Sequence, residues 1–131
     1  MNSYTGCMLG NPAISVLADA YMKGIRGYDV KKALEYAVNT QNKSGNGERG
    51  YAVNSLSKTL EYAYTDWCIG QMMSATGKKE MAKVYEQRSK AYCNVWDDSV
   101  HWFRARLRDG SWMPWKCRTV HDQGTTESNP F

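Results

Sequence analysis

The sequence lacks several features that mark common classes of protein. Its four cysteines form no CxxC pair, and its two histidines do not lie at metal-ligand spacing around them, so neither a zinc site nor a redox pair is indicated. The net charge of +4 is spread along the chain without a block of like charge. This pattern argues against a nucleic-acid partner and against an anionic membrane patch.

Long hydrophobic runs are also missing. The first apolar stretch, residues 13–25, is interrupted by Asp19 and Lys23 and follows no basic run. It is therefore predicted to be neither a signal peptide nor a membrane span.

Phenylalanine is scarce, with two residues against nine tyrosines and five tryptophans. The rings of tyrosine and tryptophan have one polar edge, and such side chains are typical of partly solvent-exposed surfaces. The hydrophobic fraction of 42% and the charged fraction of 23% are those of an ordinary globular chain, which excludes a disordered protein or a collagen. A chain of 131 residues forms one domain at most.

Hydrophobic periodicity predicts four helices. Asn11 before Pro12 marks the first start and Asp29 the second, while Gly24 and Gly77 mark ends. The helices are expected over about residues 12–25, 30–42, 56–76 and 78–96.

The four predicted helices differ in how much of their circumference is apolar. The first and third are apolar nearly all round, whereas the second and fourth carry one apolar stripe; in the fourth this stripe is Met81, Val84, Tyr85, Tyr92 and Val95. Such alternation predicts an all-α fold of two hairpins with an inner and an outer layer, either an α-solenoid or part of an (α/α)6 toroid. Because two buried helices cannot cover each other on all sides, we expect residues 1–131 to be a fragment of a single larger domain.

Residues 97–126 show no helical period and form a long connection that is rich in tryptophan. Alternation over residues 102–108, followed by Asp109-Gly110, predicts a short β-hairpin. On a strand Arg104 and Arg106 share a face, where they could bind hydroxyls or a carboxylate, although a solvated edge is the commoner outcome. The tryptophans, Trp112 among them, could stack on a sugar ring or pin the loop.

Capping residues around 126–130 predict that the next inner helix begins there, with Glu127 in its first turn. An acid at this position is most often a partner of the helix dipole. A general acid would need its pKa raised by apolar walls, for which the tryptophans of the loop are candidates. The residues alone leave both interpretations open.

Several blocks of sequence carry a resemblance to a known family. Residues 5–12 (TGCMLGNP) and 18–27 (ADAYMKGIRG) are followed by 57–64 (SKTLEYAY), by Asp66-Trp67-Cys68 and by 109–112 (DGSW). Together they resemble the catalytic domain of family 92 glycoside hydrolases, the calcium-dependent α-mannosidases. The likeness extends over essentially the whole chain.

This resemblance implies an (α/α)6 toroid preceded by a β-sandwich domain, and exo-acting, inverting hydrolysis of α-linked mannose, with α-1,2 or related linkages in mannose-containing glycans. Thr126-Glu127-Ser128-Asn129 resembles the motif that holds the family's general acid, which makes Glu127 the catalytic candidate. Ser128 replaces a glycine of that motif. The implied substrate-binding residues are Cys7, Trp67, Arg104, Arg106 and Trp112.

The family also implies a calcium ion, but none of its ligands can be identified in this sequence. The general base is expected downstream of Phe131, so this chain alone should be inactive. A periplasmic or extracellular location is implied by the family only. The alternatives are an α-solenoid that binds protein and, last, a nucleic-acid binder that uses its arginines.

Overall fold

The computed structural model describes residues 9–115 and 124–125. The helices appear in the predicted order, and the all-α fold with a short β-hairpin is confirmed. The elements are α1 (Pro12–Met22), α2 (Val30–Ser44), α3 (Leu56–Ala75), α4 (Lys79–Ser89), a 3-10 helix (Lys90–Val95), β1 (Trp96–Asp97) and β2 (Trp102–Phe103).

The helix bounds follow from capping. The Ser55 side chain accepts a hydrogen bond of 3.2 Å from the Lys58 N–H and starts α3 where predicted. At the end of α1, Gly24 has a φ of +86°, which favours glycine. The N–H of Gly24 donates to the Tyr21 carbonyl and the N–H of Ile25 to the Ala20 carbonyl. This closure ends α1 at Met22, three residues before the predicted end.

The prediction of one helix from residue 78 to 96 is wrong at its second half. The chain tightens into the 3-10 helix after Ser89, whose hydroxyl donates to the Glu86 carbonyl at 2.7 Å. Such a side-chain bond competes with regular helix pairing. The tighter winding brings Val95 to complete burial beneath the following loop.

The predicted apolar stripe of α4 is also partly wrong. Tyr85 is buried, but Met81 and Val84 are about half exposed, as is Tyr92 in the 3-10 helix. α4 packs on α3 at Gly70, where an added Cβ would lie 3.5 Å from the Tyr85 Cβ. Because Gly70 has no side chain, α4 approaches α3 closely at this position, and the side of α4 that carries Tyr85 is therefore the buried one.

α3 is the central element, since it contacts α1, α2 and α4 and buries twelve of its twenty residues. α1 and α3 begin at the same end of the molecule: an added Cβ at Gly10 would lie 2.8 Å from the Glu61 Cβ. At the other end the Tyr21 hydroxyl lies 3.5 Å from the Ala75 carbonyl oxygen, to which it donates. The two expected inner helices are therefore parallel, and each is followed by an antiparallel outer helix.

The core has two parts. The larger cluster joins all four helices and consists of Ile14, Ala18, Leu34, Ala37, Cys68, Ile69, Met72, Met73 and Tyr85. The smaller cluster joins the start of α3 to the loop through Leu56, Val95 and Ala105. Within the chain α1 leaves Val16 and Met22 exposed. The exposed side of α1 is mixed in character, because the Asp19–Lys23 ion pair lies between these two side chains.

The central position of α3 predicts unequal costs for two methionine substitutions. Met72→Ala should reduce the free energy of unfolding by about 2 to 5 kcal/mol, because the side chain is fully buried. Met81→Ala, on the half-exposed side of α4, is the matched control and should change it by less than about 0.5 kcal/mol. Urea denaturation of the two variants checks this, and equal losses would contradict the assigned core.

Candidate functional site

The connections that lead from an outer to an inner helix meet at one end of the molecule, which we call the loop end. The Asn54 N–H donates to the Arg106 carbonyl at 2.8 Å. The Tyr51 hydroxyl donates to the Leu107 carbonyl at 3.2 Å, and the Asn94 amide donates to the Gly50 carbonyl at 3.0 Å. These bonds hold the tryptophan-rich loop against the start of α3.

The predicted hairpin at Asp109-Gly110 is present. The Leu107 N–H donates to the Ser111 carbonyl at 2.8 Å, and an antiparallel bridge pairs Arg106 with Trp112. The Asp109 carboxylate accepts a bond of 2.6 Å from the Ser111 hydroxyl. The preceding pairing of β1 with β2 is a second, unpredicted turn of the same loop.

Arg106 supports Trp112. Its guanidinium carbon lies 3.6 Å from the centre of the indole ring. Its Nε donates to the Asn94 carbonyl at 2.7 Å and its Nη1 to the Gly110 carbonyl at 2.8 Å. These three contacts fix the ring relative to both the 3-10 helix and the hairpin turn.

The Arg104 guanidinium also donates hydrogen bonds to protein acceptors within the loop. Its Nη1 donates to Asp97 Oδ2 at 2.5 Å, and its Nη2 donates to the Met113 carbonyl at 2.5 Å. The Ser99 hydroxyl, which donates to Asp97, is the main cause that lowers the pKa of this carboxyl, and Arg104 adds to it. The Arg104 guanidinium also lies 5.9 Å from the Trp115 ring. The two arginines therefore stabilise the loop, while their substrate contacts stay a prediction.

The structure does not bring every predicted residue together. Arg104, Arg106 and Trp112 form one cluster, but Trp67 lies about 16 Å along α3 from its first residue. Trp67 is 48% exposed and stacks on Tyr64 with the ring centres 6.0 Å apart. Cys7 and Glu127 lie outside the described residues.

An ion pair with a buried carboxylate joins the middle of α3 to α4. Arg88 Nη2 lies 3.1 Å from Asp66 Oδ1, and Asp66 is 1% exposed. Neither carboxylate oxygen accepts a well-aligned hydrogen bond from the described residues. Burial raises the pKa of Asp66 to about 6, although the Arg88 cation opposes this rise. Arg88 Nη1 also donates to Asn42 Oδ1 at 2.7 Å, which ties α2 to the pair.

A cavity of about 790 Å³ opens between the C-terminal ends of α2 and α4. Its lining includes Asn42, Asp66, Arg88 and Asn94. Asp66 lies one residue before Trp67, about 100° away around α3, so the cavity lies on a different side of this helix from the stacked aromatic pair.

Gly124 and Thr125 return to the loop end. The Gly124 carbonyl accepts a hydrogen bond of 3.2 Å from the Ser57 N–H in the first turn of α3. An added Cβ at Gly124 would lie 2.5 Å from the Ala105 Cβ. Gly124 is thus held between α3 and the hairpin.

The fit of a calcium ion can be tested only on the described residues. In residues 9–115 and 124–125, no group of three or more His, Cys, Asp or Glu side chains is placed to hold a metal. These residues do not fit a calcium site, so no step of the chemistry is derived through the ion.

The helices in the described part of the chain also include none that is long and apolar enough to cross a membrane.

Sequence reasoning missed three residues that organise the loop end: Asp97, Asn94 and Gly124. The Asp97-Asp98-Ser99 pattern is a signal for a local side-chain turn, and the Ser99 N–H does donate to Asp97 Oδ1 at 2.9 Å. Asn94 and Gly124 act through distant backbone groups, which no local pattern reveals.

Comparisons with known proteins agree on one family. The model of the glycosyl hydrolase family 92 catalytic domain matches residues 1–131. A family GH92 inverting mannosidase from Bacteroides thetaiotaomicron VPI-5482 has a similar structure, with a TM-score of 0.87 and 31% identity over 98% of this chain and 20% of its own. A GH92 α-mannosidase from the same bacterium has a TM-score of 0.83 and 29% identity, over 95% of this chain and 18% of its own.

A further structure, a GH92 family glycosyl hydrolase of 18% identity, matches with a TM-score of 0.73 over 90% of this chain and 17% of its own, and it supports the fold alone. The chain spans about a fifth of the length of the first two solved relatives. No protein of curated function matches significantly.

The buried Asp66 predicts a pH dependence of stability. Because its folded pKa of about 6 exceeds the ordinary value of 3.8, the folded chain keeps a proton that the unfolded chain releases. Stability should therefore fall by up to about 3 kcal/mol as pH rises from 4 to 7. Asp66→Asn should remove most of this fall in urea titrations.

The exposed Asp19, whose ion pair with Lys23 is open to water, provides the control for that titration. Asp19→Asn should keep the pH dependence of the parent chain. An Asp66→Asn variant with an unchanged slope would show that its carboxyl does not carry the effect.

The contacts of Arg106 predict how the hairpin responds to its loss. Arg106→Lys should raise hydrogen exchange at the Leu107 and Met113 amides by about tenfold, because lysine cannot reproduce the forked bonds or the stacking. Arg108→Lys is the matched control, since Arg108 is exposed and only two residues away. Exchange followed by NMR checks this, and equal rates in both variants would refute the role.

Proposed function

Because the chain belongs to glycosyl hydrolase family 92, we propose that it supplies part of the catalytic domain of an inverting α-mannosidase. The solved relatives, an inverting mannosidase and an α-mannosidase, support this choice. We further propose exo-action on mannose-containing glycans with α-1,2 or related linkages. Since the chain spans about a fifth of those relatives, the remainder of the domain comes from other sequence.

The observation that carries the proposal is the position of Gly124. This residue is bonded to the start of α3 at the loop end, beside the hairpin of Arg106 and Trp112. Glu127 follows three residues later, so its Cα must lie within about 11 Å of the Gly124 Cα. The contacts of Gly124 support the proposal that the acid acts at the end of the helices that carries the aromatic loop.

The proposed chemistry needs a proton donor at this end. An alkoxide is a poor leaving group, so a protonated Glu127 would donate to the glycosidic oxygen as the bond breaks. A second carboxylate, on the opposite face of the sugar ring, would deprotonate the attacking water. In inverting enzymes the two carboxyl groups lie about 6.5 to 9.5 Å apart. We assign that base to sequence outside this chain.

The environment of Glu127 must keep the carboxyl protonated near neutral pH. Apolar walls raise the pKa of a carboxyl, whereas the start of a helix lowers it. We propose Trp112 and Trp115, two large rings of the described loop, as these walls. Cys7 and Trp67 stay candidates for sugar contacts, and calcium would be bound by residues outside the described set.

The α-solenoid alternative is not favoured. Family membership over residues 1–131 and the TM-score of 0.87 to an inverting mannosidase support the toroid instead. Arg104 and Arg106 are bound to protein acceptors, so these two arginines give a nucleic-acid interface no support.

Glu127→Gln in the full-length enzyme tests the acid role. Activity on a substrate with a poor leaving group should fall by about 10² to 10⁴-fold. An activated aryl mannoside needs little protonation and should lose much less. Glu35→Gln, at an exposed position of α2, is the control and should change neither rate. Equal losses on the two substrates would contradict the assignment.

A further inference from the structure

The contacts around Gly124 suggest how the proposed acid is held in place. We propose that Gly124 is a positioning residue for the acid, because its missing side chain lets residues 124–125 lie directly on α3 and the hairpin. This inference rests on the proposed acid role of Glu127. It concerns Gly124 itself, which touches no reacting atom.

Gly124 occupies a site where only glycine fits without displacement. Its φ of +85° lies in the left-handed region. An added Cβ would lie 2.5 Å from the Ala105 Cβ, 3.1 Å from the Leu56 nitrogen and 3.3 Å from the Asn54 carbonyl oxygen. Two of these three atoms are backbone, so the neighbours cannot rotate away and the segment itself would have to move.

The surface beneath Gly124 is rigid. Ala105 is 1% exposed and packs with Leu56 and Val95 in the smaller core cluster. Its carbonyl accepts a hydrogen bond of 2.9 Å from the Met113 N–H of the hairpin. A side chain at position 124 would therefore shift the backbone of residues 124–125 rather than the residues that support it.

Such a shift has a specific kinetic consequence. Displacing a catalytic group by about 1 Å costs on the order of 100-fold in rate. A misplaced acid slows only the substrate that needs protonation, whereas a lower fraction of folded enzyme slows every substrate equally. The ratio of the two rates thus separates positioning from stability.

The experiment uses the full-length enzyme with Gly124→Ala. On a substrate with a poor leaving group, kcat should fall by about 10- to 100-fold, with little change of KM. On an activated aryl mannoside the loss should be less than about threefold. Gly24→Ala is the matched control: its φ is +86°, and an added Cβ would have nothing within 4 Å. That variant should keep the parent ratio of rates.

A second variant keeps the test informative if Gly124→Ala folds poorly. Adding Ala105→Gly removes the atom nearest to the new methyl group, and should restore a substantial part of the kcat on the poor leaving group. Equal losses on both substrates, or no restoration in a folded double variant, would overturn the positioning role.

The outcome for Glu127→Gln distinguishes the two proposals. If that variant shows the leaving-group selectivity and Gly124→Ala does not, only the positioning role fails. If Glu127→Gln itself lacks selectivity, the acid assignment fails, and the role of Gly124 in placing that acid fails with it.

Discussion

The loop end depends on the backbone groups at the start of α3. The first turn of a helix has N–H groups without partners in the helix, and these need acceptors. Ser55 supplies one through its side chain, and the Gly124 carbonyl supplies another to Ser57. Since Asn54 also donates to the Arg106 carbonyl, two distant segments are fixed to one helix end. The position of the candidate site follows from this requirement.

The same end is joined to the outer helices by buried polar groups. Gln41 on α2 is fully buried; its Nε2 donates to the Tyr62 carbonyl at 2.8 Å, and its Oε1 accepts from the Thr65 hydroxyl at 3.0 Å. Asn11, just before α1, donates to the same Oε1 at 2.8 Å. One buried amide therefore links the start of α1 to α2 and α3. Satisfied networks of this kind favour a single arrangement of the helices.

The sequence predicted the helices well where capping is local. Ser55 and Gly77 bound α3 correctly to within one residue, because a cap and a left-handed glycine act on adjacent backbone. It failed where distant packing decides: Gly70 selects which side of α4 is buried, so Met81 and Val84 are exposed. For the site, the hairpin was predictable from Asp109-Gly110, whereas the anchoring of Arg106 by Asn94 and of Gly124 by α3 was not.

The most direct measurement of the central claim is a proton NOE in solution between the Gly124 Hα atoms and the Ala105 methyl group. The close approach of these residues predicts a strong cross-peak, together with slow exchange of the Ser57 amide that donates to Gly124. Absence of the cross-peak in the folded protein, with rapid exchange at Ser57, would contradict the attachment of Gly124 to α3.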